Sequence, residues 1–450
     1  MNSKTLRYYY WLFLEFTKKH SKMMLLSFLL SFFLIFALVS FSPYLDGLFF
    51  AKKDVVGIVG LHDVNNLPDQ ITKKVSYGLV YIDSKGKIGP ALADSWEVKN
   101  EGKEFTFHLK DKLLWDDGRD FTAFDLKYNF KDVNFKVIDK KTIVFTLKKE
   151  LAIFPTYLAK PIIRYPLHGV IGEYKAAKIR YRQGNVSQIN LTPNKKDLPQ
   201  LEYRLYDSEN KMISAYKAGE IREMNILNKS TADGFKKWKN TTVSQNVDYQ
   251  KIMTLFLHTK GKLFSEKELR EIVSLAIPWD KIEEYGVIAN SPIPPTSWAY
   301  NPDLKKPVYD PDTATKTIKK TFPKGISLSV ITFYDYLPIA SILEKGFNAI
   351  NIKTSVNLSN QGVPDDFDAL LAYWEPPLDP DQYFLWHSTQ AQGNITNYKN
   401  VKIDKLLEDG RNNINVEERK KHYFQFQKVI IDEVPAIFIF HPYSYSIKRK

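Results

Sequence analysis

Leu79–Phe130 reads LVYIDSKGKIGPALADSWEVKNEGKEFTFHLKDKLLWDDGRDFTAFDLKYNF. Within it, Phe105 to Leu109 (FTFHL) alternates apolar and polar residues, the period of a half-buried strand. Asn100 to Lys103 (NEGK) and Asp116 to Gly118 (DDG) flank it with turn chemistry. Glycine reaches left-handed backbone at no cost, and Asn and Asp bond back to their own main chain. The stretch therefore predicts a β-meander, with Trp96 and Trp115 as its core anchors.

Around this segment, composition narrows the possibilities. A chain of 450 residues holds two or three domains, and 44% hydrophobic residues allow a sizeable core without staples. There is no cysteine. Disulfides, thiolate metal sites, cysteine nucleophiles and lipid attachment through an N-terminal cysteine are excluded. Met23 to Phe41 (MMLLSFLLSFFLIFALVSF) is uncharged and long enough to cross a bilayer. Residues 1–22 carry five Lys/Arg against one Glu, a basic leader that places the N-terminus in the cytoplasm and the bulk outside. Residues 23–43 are therefore expected to be an uncleaved anchor. A cleaved signal is the weaker alternative: Ser40-Phe41-Ser42 is a poor cleavage site and Pro43 follows it. The net charge of +13 could suggest nucleic acid, but a chain outside the cell is better served by a basic surface near anionic lipid or wall polymer.

Along the chain, residues 42–54 read as a short linker and Val55–Val59 as a first strand. Strands are predicted at 142–147, 201–206 and 254–258. Lys211–Ile226 reads as a helix, a Gly219 stop and a strand. Ser265 and Glu268 have the spacing of a capping box ahead of the apolar face Leu269, Ile272, Val273 and Ala276. Asp310-Pro311 reads as an N-cap with proline in the first turn, and Asn415 opens the last long helix. Residues 435–441 form the closing strand.

The words LVYIDSKG, PALADSW, FHLK and WDDGRDFTAFD, in this order, resemble the bacterial extracellular solute-binding proteins of family 5, the oligopeptide- and dipeptide-binding group. The resemblance covers about residues 55–450. It implies an α/β, two-lobed periplasmic-binding-protein-like fold (type II, cluster C-like), with a hinge and a central ligand cleft. Lobe I would hold 55–250 plus 433–450, with a β-rich subdomain at about 76–150, and lobe II 251–432. Relatives are usually longer, which implies trimming within 76–155. The implied function is capture of a peptide-like solute by hinge closure and delivery to the permease of an ABC importer, by a monomer. The alternative is an anchored sensor or adhesion module that kept the fold.

Residues 367–381 (FDALLAYWEPPLDPD) read as a buried strand running into an acidic, aromatic loop. Aromatic faces can sandwich an extended ligand, and carboxylates can meet an ammonium group. In the family this loop lines the cleft, which makes Tyr373, Trp374, Glu375, Asp379 and Asp381 the candidate ligand contacts. Pro376 stands where peptide-binding relatives carry the aspartate for the peptide's amino terminus. Glu375 is expected to replace it. Eight histidines are scattered without metal-ligand spacing, and His387 is expected to be a satisfied surface residue. The acid pairs Asp116-Asp117 and Asp365-Asp366 read as loop acids, and no nucleophile elbow is present. No cofactor, metal or enzymatic activity is expected.

Overall fold

The computed structural model describes residues 3–49, 53–360, 362–364 and 366–450, with side chains of the first helix from 7 to 36. Ala436–Arg449 organises the molecule: a single 14-residue strand that belongs to both lobes. Its first part pairs antiparallel with Ile252–Leu257 and Gly286–Ile288; its last part pairs with Glu223–Ile226 and Thr241–Val247. The closing strand expected at 435–441 thus continues to Arg449. Residues 436–441 pair in the second lobe's sheet, not the first.

The main sheet has twelve strands. Its path runs Ile352–Leu358, Ile326–Thr332, Ala369–Trp374, Ile252–Leu257, Ala436–Arg449, Glu223–Ile226, Lys53–Val59, Gln200–Tyr206, Asn185–Pro193, Tyr174–Arg182. Lys53–Val59 runs parallel to Gln200–Tyr206, so the predicted first strand starts two residues early. Ile252–Leu257 is buried on both faces, which accounts for its unbroken apolar run IMTLFL. One face packs helices Lys267–Leu275 and Leu337–Ala349; the other packs helix Val416–Glu433.

Leu79–Phe130 is β-rich as predicted but is no meander by itself: its strands Ala93–Lys99 and Glu104–Leu109 enter a four-stranded antiparallel sheet with Thr142–Leu147 and Val133–Val137, in which Glu104–Leu109 pairs with Thr142–Leu147 and not with the next strand in sequence. Phe105, Phe107 and Leu109 point into its core and Thr106 and His108 outward. Trp115 is buried as expected. Trp96 lies on an edge strand and is half-buried, stacked on Phe107 at 5.8 Å. An edge strand has a neighbour on one side only, so its indole is open on the other.

Local signals hold in most places. Asp310 Oδ1 accepts from Thr313 N, Asn415 Oδ1 from Glu417 N and Glu418 N, and Gly219 ends its helix in left-handed backbone. The expected capping box at Ser265 does not form: the N-cap is Glu266, and Ser265 Oγ donates to the carbonyl of Lys262 instead. The apolar face itself is buried as read. The first helix spans Ser3–Phe49, so it runs through most of the expected 42–54 linker. Tyr8–Phe36 expose their apolar side chains all round. The cleavage candidate Ser40–Ser42, and Asp365, have side chains outside the described residues.

Candidate ligand site between the lobes

The chain passes from lobe I to lobe II at residues 247–252 and returns at 441–443. These crossings lie side by side. Asp248 N donates to Pro442 O at 2.9 Å, and Tyr443 N to Tyr285 O at 2.9 Å. His441 Nδ1 lies 3.0 Å from the carbonyl of Lys251. A carbonyl only accepts, so Nδ1 carries the proton. Burial pushes the His441 pKa down to about 4, so the bond joins two neutral groups at neutral pH.

The lobes meet beyond these crossings. Trp298 of lobe II donates its backbone N–H to Lys85 O at 2.9 Å and its indole Nε1–H to Gly86 O at 3.1 Å. Gly86 has φ +83°, and a Cβ there would stand 2.3 Å from Leu378 O, so only glycine fits this approach. On a second side, Arg411 donates to the Tyr157 hydroxyl at 3.1 Å and its carbonyl accepts from Ile153 N at 3.3 Å. Between the lobes lies a small gap of about 20 Å³, bordered by Ser84, Tyr249, Gln250, Thr296, Ser297 and the loop Pro376–Leu378.

The candidate loop is thus one wall of the gap, but its side chains divide. Strand Ala369–Trp374 sends alternate residues to opposite faces. Tyr373 packs edge-on against Tyr336 at 5.0 Å and Phe440 at 6.1 Å, on one core. Trp374 turns the other way, against Trp386 and Phe438. Its Nε1–H is buried with no acceptor among the described residues. Glu375 is 72% exposed, 3.8 Å from Lys251 Nζ.

Asp379 and Asp381 do not border the gap. The Arg419 guanidinium reaches both oxygens of Asp379, at 2.9 and 3.1 Å, and lies 5.2 Å over the Trp298 ring. This pair ties the loop to the last long helix. Asp381 Oδ2 lies 3.3 Å from Arg411, whose guanidinium sits 4.0 Å over the Tyr383 ring. Burial outweighs that arginine and pushes the Asp381 pKa up to about 6. A carboxyl whose folded pKa exceeds its unfolded value contributes most when protonated. Its contribution is lost as pH rises from about 4 through 6, by about 3 kcal/mol. Relative to Asp381→Asn, the unmutated protein should therefore lose stability across that window. Paired denaturation curves between pH 4 and 8 check it; a constant difference would refute the assignment.

Nothing in the sequence singles out Tyr249, Gln250, Ser84, Thr296 and Ser297. Thr296-Ser297 lies in the proline-rich stretch 290–302, and Tyr249-Gln250 directly precedes a fully apolar strand. Neither pattern reveals which two elements a hinge will bring face to face. His387 is buried, not on the surface. Its Nδ1 meets Thr389 Oγ1 at 2.8 Å and its Nε2 Glu408 at 3.3 Å. No group of three His, Cys, Asp or Glu residues with metal-holding geometry occurs among the described residues.

Two α/β lobes on side-by-side crossings, closed over a gap, define a two-lobed periplasmic binding protein. The family of bacterial extracellular solute-binding proteins, family 5 (middle part), matches residues 87–395, more than two thirds of the chain, and the chain belongs to it. Di/tripeptide-binding protein 1 of Pseudomonas aeruginosa is 23% identical over 449 residues, covering 81% of this chain and 82% of that protein. Among solved structures, NikZ of Campylobacter jejuni with Ni(L-His) superposes with a TM-score of 0.74 at 21% identity, covering 89% of this chain and 94% of that one. The oligopeptide-binding protein AppA of Bacillus subtilis with a nonapeptide superposes with a TM-score of 0.70 at 21% identity and the same coverage.

Proposed function

We propose that this chain is a membrane-anchored extracellular receptor that captures a peptide-like solute by hinge closure and passes it to an ABC importer. The observation that carries the reading is the shared strand Ala436–Arg449, crossing the lobes next to residues 247–252 beside an interlobe gap. Two adjacent strand crossings allow rotation about one axis while each core stays intact. A gap of about 20 Å³ is too small to admit a peptide without opening. Ligand bridging both walls then favours the closed state by its differential affinity.

The apolar helix supports anchoring. Its side chains from Met23 to Phe36 are exposed, and such a surface is stable in hydrocarbon rather than water. Within the loop Tyr373–Asp381, Pro376–Leu378 border the gap on the lobe II side, beside Thr296 and Ser297. In the loop Tyr373 and Trp374 set the strand end, Asp379 and Asp381 fix the return, and Glu375 offers the open carboxylate. Pro376 has neither a carboxylate nor an N–H to offer a ligand.

Native mass spectrometry of the full chain with a pool of short peptides tests the function. Retention of peptides supports it; a folded protein that retains none overturns it. Glu375→Gln should weaken a free-amine peptide by about 1 kcal/mol, a modest loss because the carboxylate is exposed, and leave the N-acetylated peptide unchanged. Equal affinity of the two peptides for the unmutated protein would remove Glu375 from the site.

A further inference from the structure

We propose that one end of the lobe I sheet is a docking surface for the anionic headgroups of the membrane that holds the first helix. This rests on the anchored reading above and adds to it a resting orientation for the receptor.

The strand registers carry the argument. Lys53 opens the first strand of lobe I, opposite Gln200. On one side, Leu201 pairs with Leu191, and Lys175 with Thr192, so the 192–200 connection and the start of Tyr174–Arg182 lie at the same end. On the other side, Arg222 N donates to Val55 O, Glu223 pairs with Lys448, and Thr241 pairs with Arg449. The turn that precedes Thr241 therefore joins this end as well. Seven strands side by side, at about 4.8 Å each, make an edge about 30 Å wide.

That edge is basic. Lys175, Lys195, Lys196, Arg222, Lys237 and Lys239 are all exposed there. None forms an ion pair among the described residues. Other cations at this end are neutralised: Lys53 by Glu202, Lys236 by Asp233, Lys448 by Glu223. Asp197 is an exposed acid on the same edge. The opposite end of these strands, towards the crossings, holds the pairs Asp207–Lys211 and Asp248–Lys251 as well as Arg182. Exposed cations without an ion pair among the described residues also occur in lobe II, as at Lys305, Lys306, Lys319, Lys320 and Lys324, but this edge is the one that adjoins the first helix.

The tether selects the partner. The first helix reaches Phe49 and the lobe I sheet begins at Lys53. Four Cα steps span at most about 14 Å. The anchor ends at residue 43, so six further helical residues and these four steps keep Lys53 within about 23 Å of the bilayer surface, close enough for the unpaired cations to swing into the roughly 8 Å range of charge attraction at physiological salt. Lobe II, attached at the far end of the sheet, is then directed away from the lipid and free to open.

The chain contains no cysteine, so single labels can be placed cleanly. The full chain, carrying a dye at Gln200→Cys on the basic edge or at Lys316→Cys in lobe II, is reconstituted in phosphatidylcholine vesicles with or without phosphatidylglycerol. Energy transfer to headgroup acceptors should rise with phosphatidylglycerol at the Gln200 position and not at the Lys316 position. It should be lost at about 0.5 M NaCl, where screening shortens the range to about 4 Å. It should also be lost in Lys195→Glu/Lys196→Glu/Lys237→Glu/Lys239→Glu with unchanged thermal melting. No lipid dependence, or an equal rise at both labels, overturns the docking surface while leaving the anchor intact. Release of the chain from vesicles by alkaline carbonate overturns the anchor, and the docking surface with it.

Discussion

Arg419→Met is expected to cost about 3–5 kcal/mol of stability, because it strands the Asp379 carboxylate without its counter-charge. Both partners are almost fully buried, at 7% and 6% side-chain exposure. Arg419 also donates Nε–H to Gly410 O at 2.9 Å and packs over Trp298. Trp298 is the side chain that receives the Gly86 turn of lobe I, so the loss should reach the lobe contact as well as the fold. Removing both charges, as Arg419→Met with Asp379→Leu, should recover much of the stability, since no buried charge then remains. Chemical denaturation of the three variants reads this directly. Equal stability of the single and double variants would show that the pair is not the source of the loss.

The second large effect is Trp115→Ala, expected to cost about 3–5 kcal/mol through the cavity it opens. Trp115 is 5% exposed, edge-on to Phe121 at 5.4 Å, with the Arg164 guanidinium 4.9 Å from its ring. Trp96→Ala should cost only about 1–2 kcal/mol, because its ring rests on Phe107 with the other side in solvent. Thermal melting should rank the two in that order, with neither changing ligand affinity once the protein is folded. Equal losses would mean that the edge indole is covered in solution.

The contrast between the two tryptophans shows how far local pattern reaches. Alternation in Phe105–Leu109 assigns inside and outside along one strand because successive side chains must point to opposite faces. It carries no information about which strand ends at an edge, so the core position expected of Trp96 does not hold. The Ser265 box failed similarly. The spacing permits the hydrogen bonds, but the preceding chain delivers Glu266, not Ser265, to the helix start.

The loop at Tyr373–Asp381 divides along the same line. Its strand, its turn and its place beside a cleft were legible, because apolar runs, proline and acidic residues act locally. The assignment of its carboxylates was not. Asp379 and Asp381 are neighbours of Glu375 in sequence, yet their partners Arg419 and Arg411 come from helices 30 to 40 residues further on. Likewise Tyr249 and Gln250 face Thr296 and Ser297 only once both lobes are built. By itself the sequence determined the β-rich character of 79–130, the first apolar helix, most strand and helix positions and, through its fixed words, the two-lobed family. The tertiary structure alone decided that Ala436–Arg449 serves both sheets, which acids are consumed by buried arginines, and which cations at the lobe I edge are left without an ion pair among the described residues. Pairing between distant strands and the solvent exposure of a charge are set by the whole packed chain, and no local window of residues contains them.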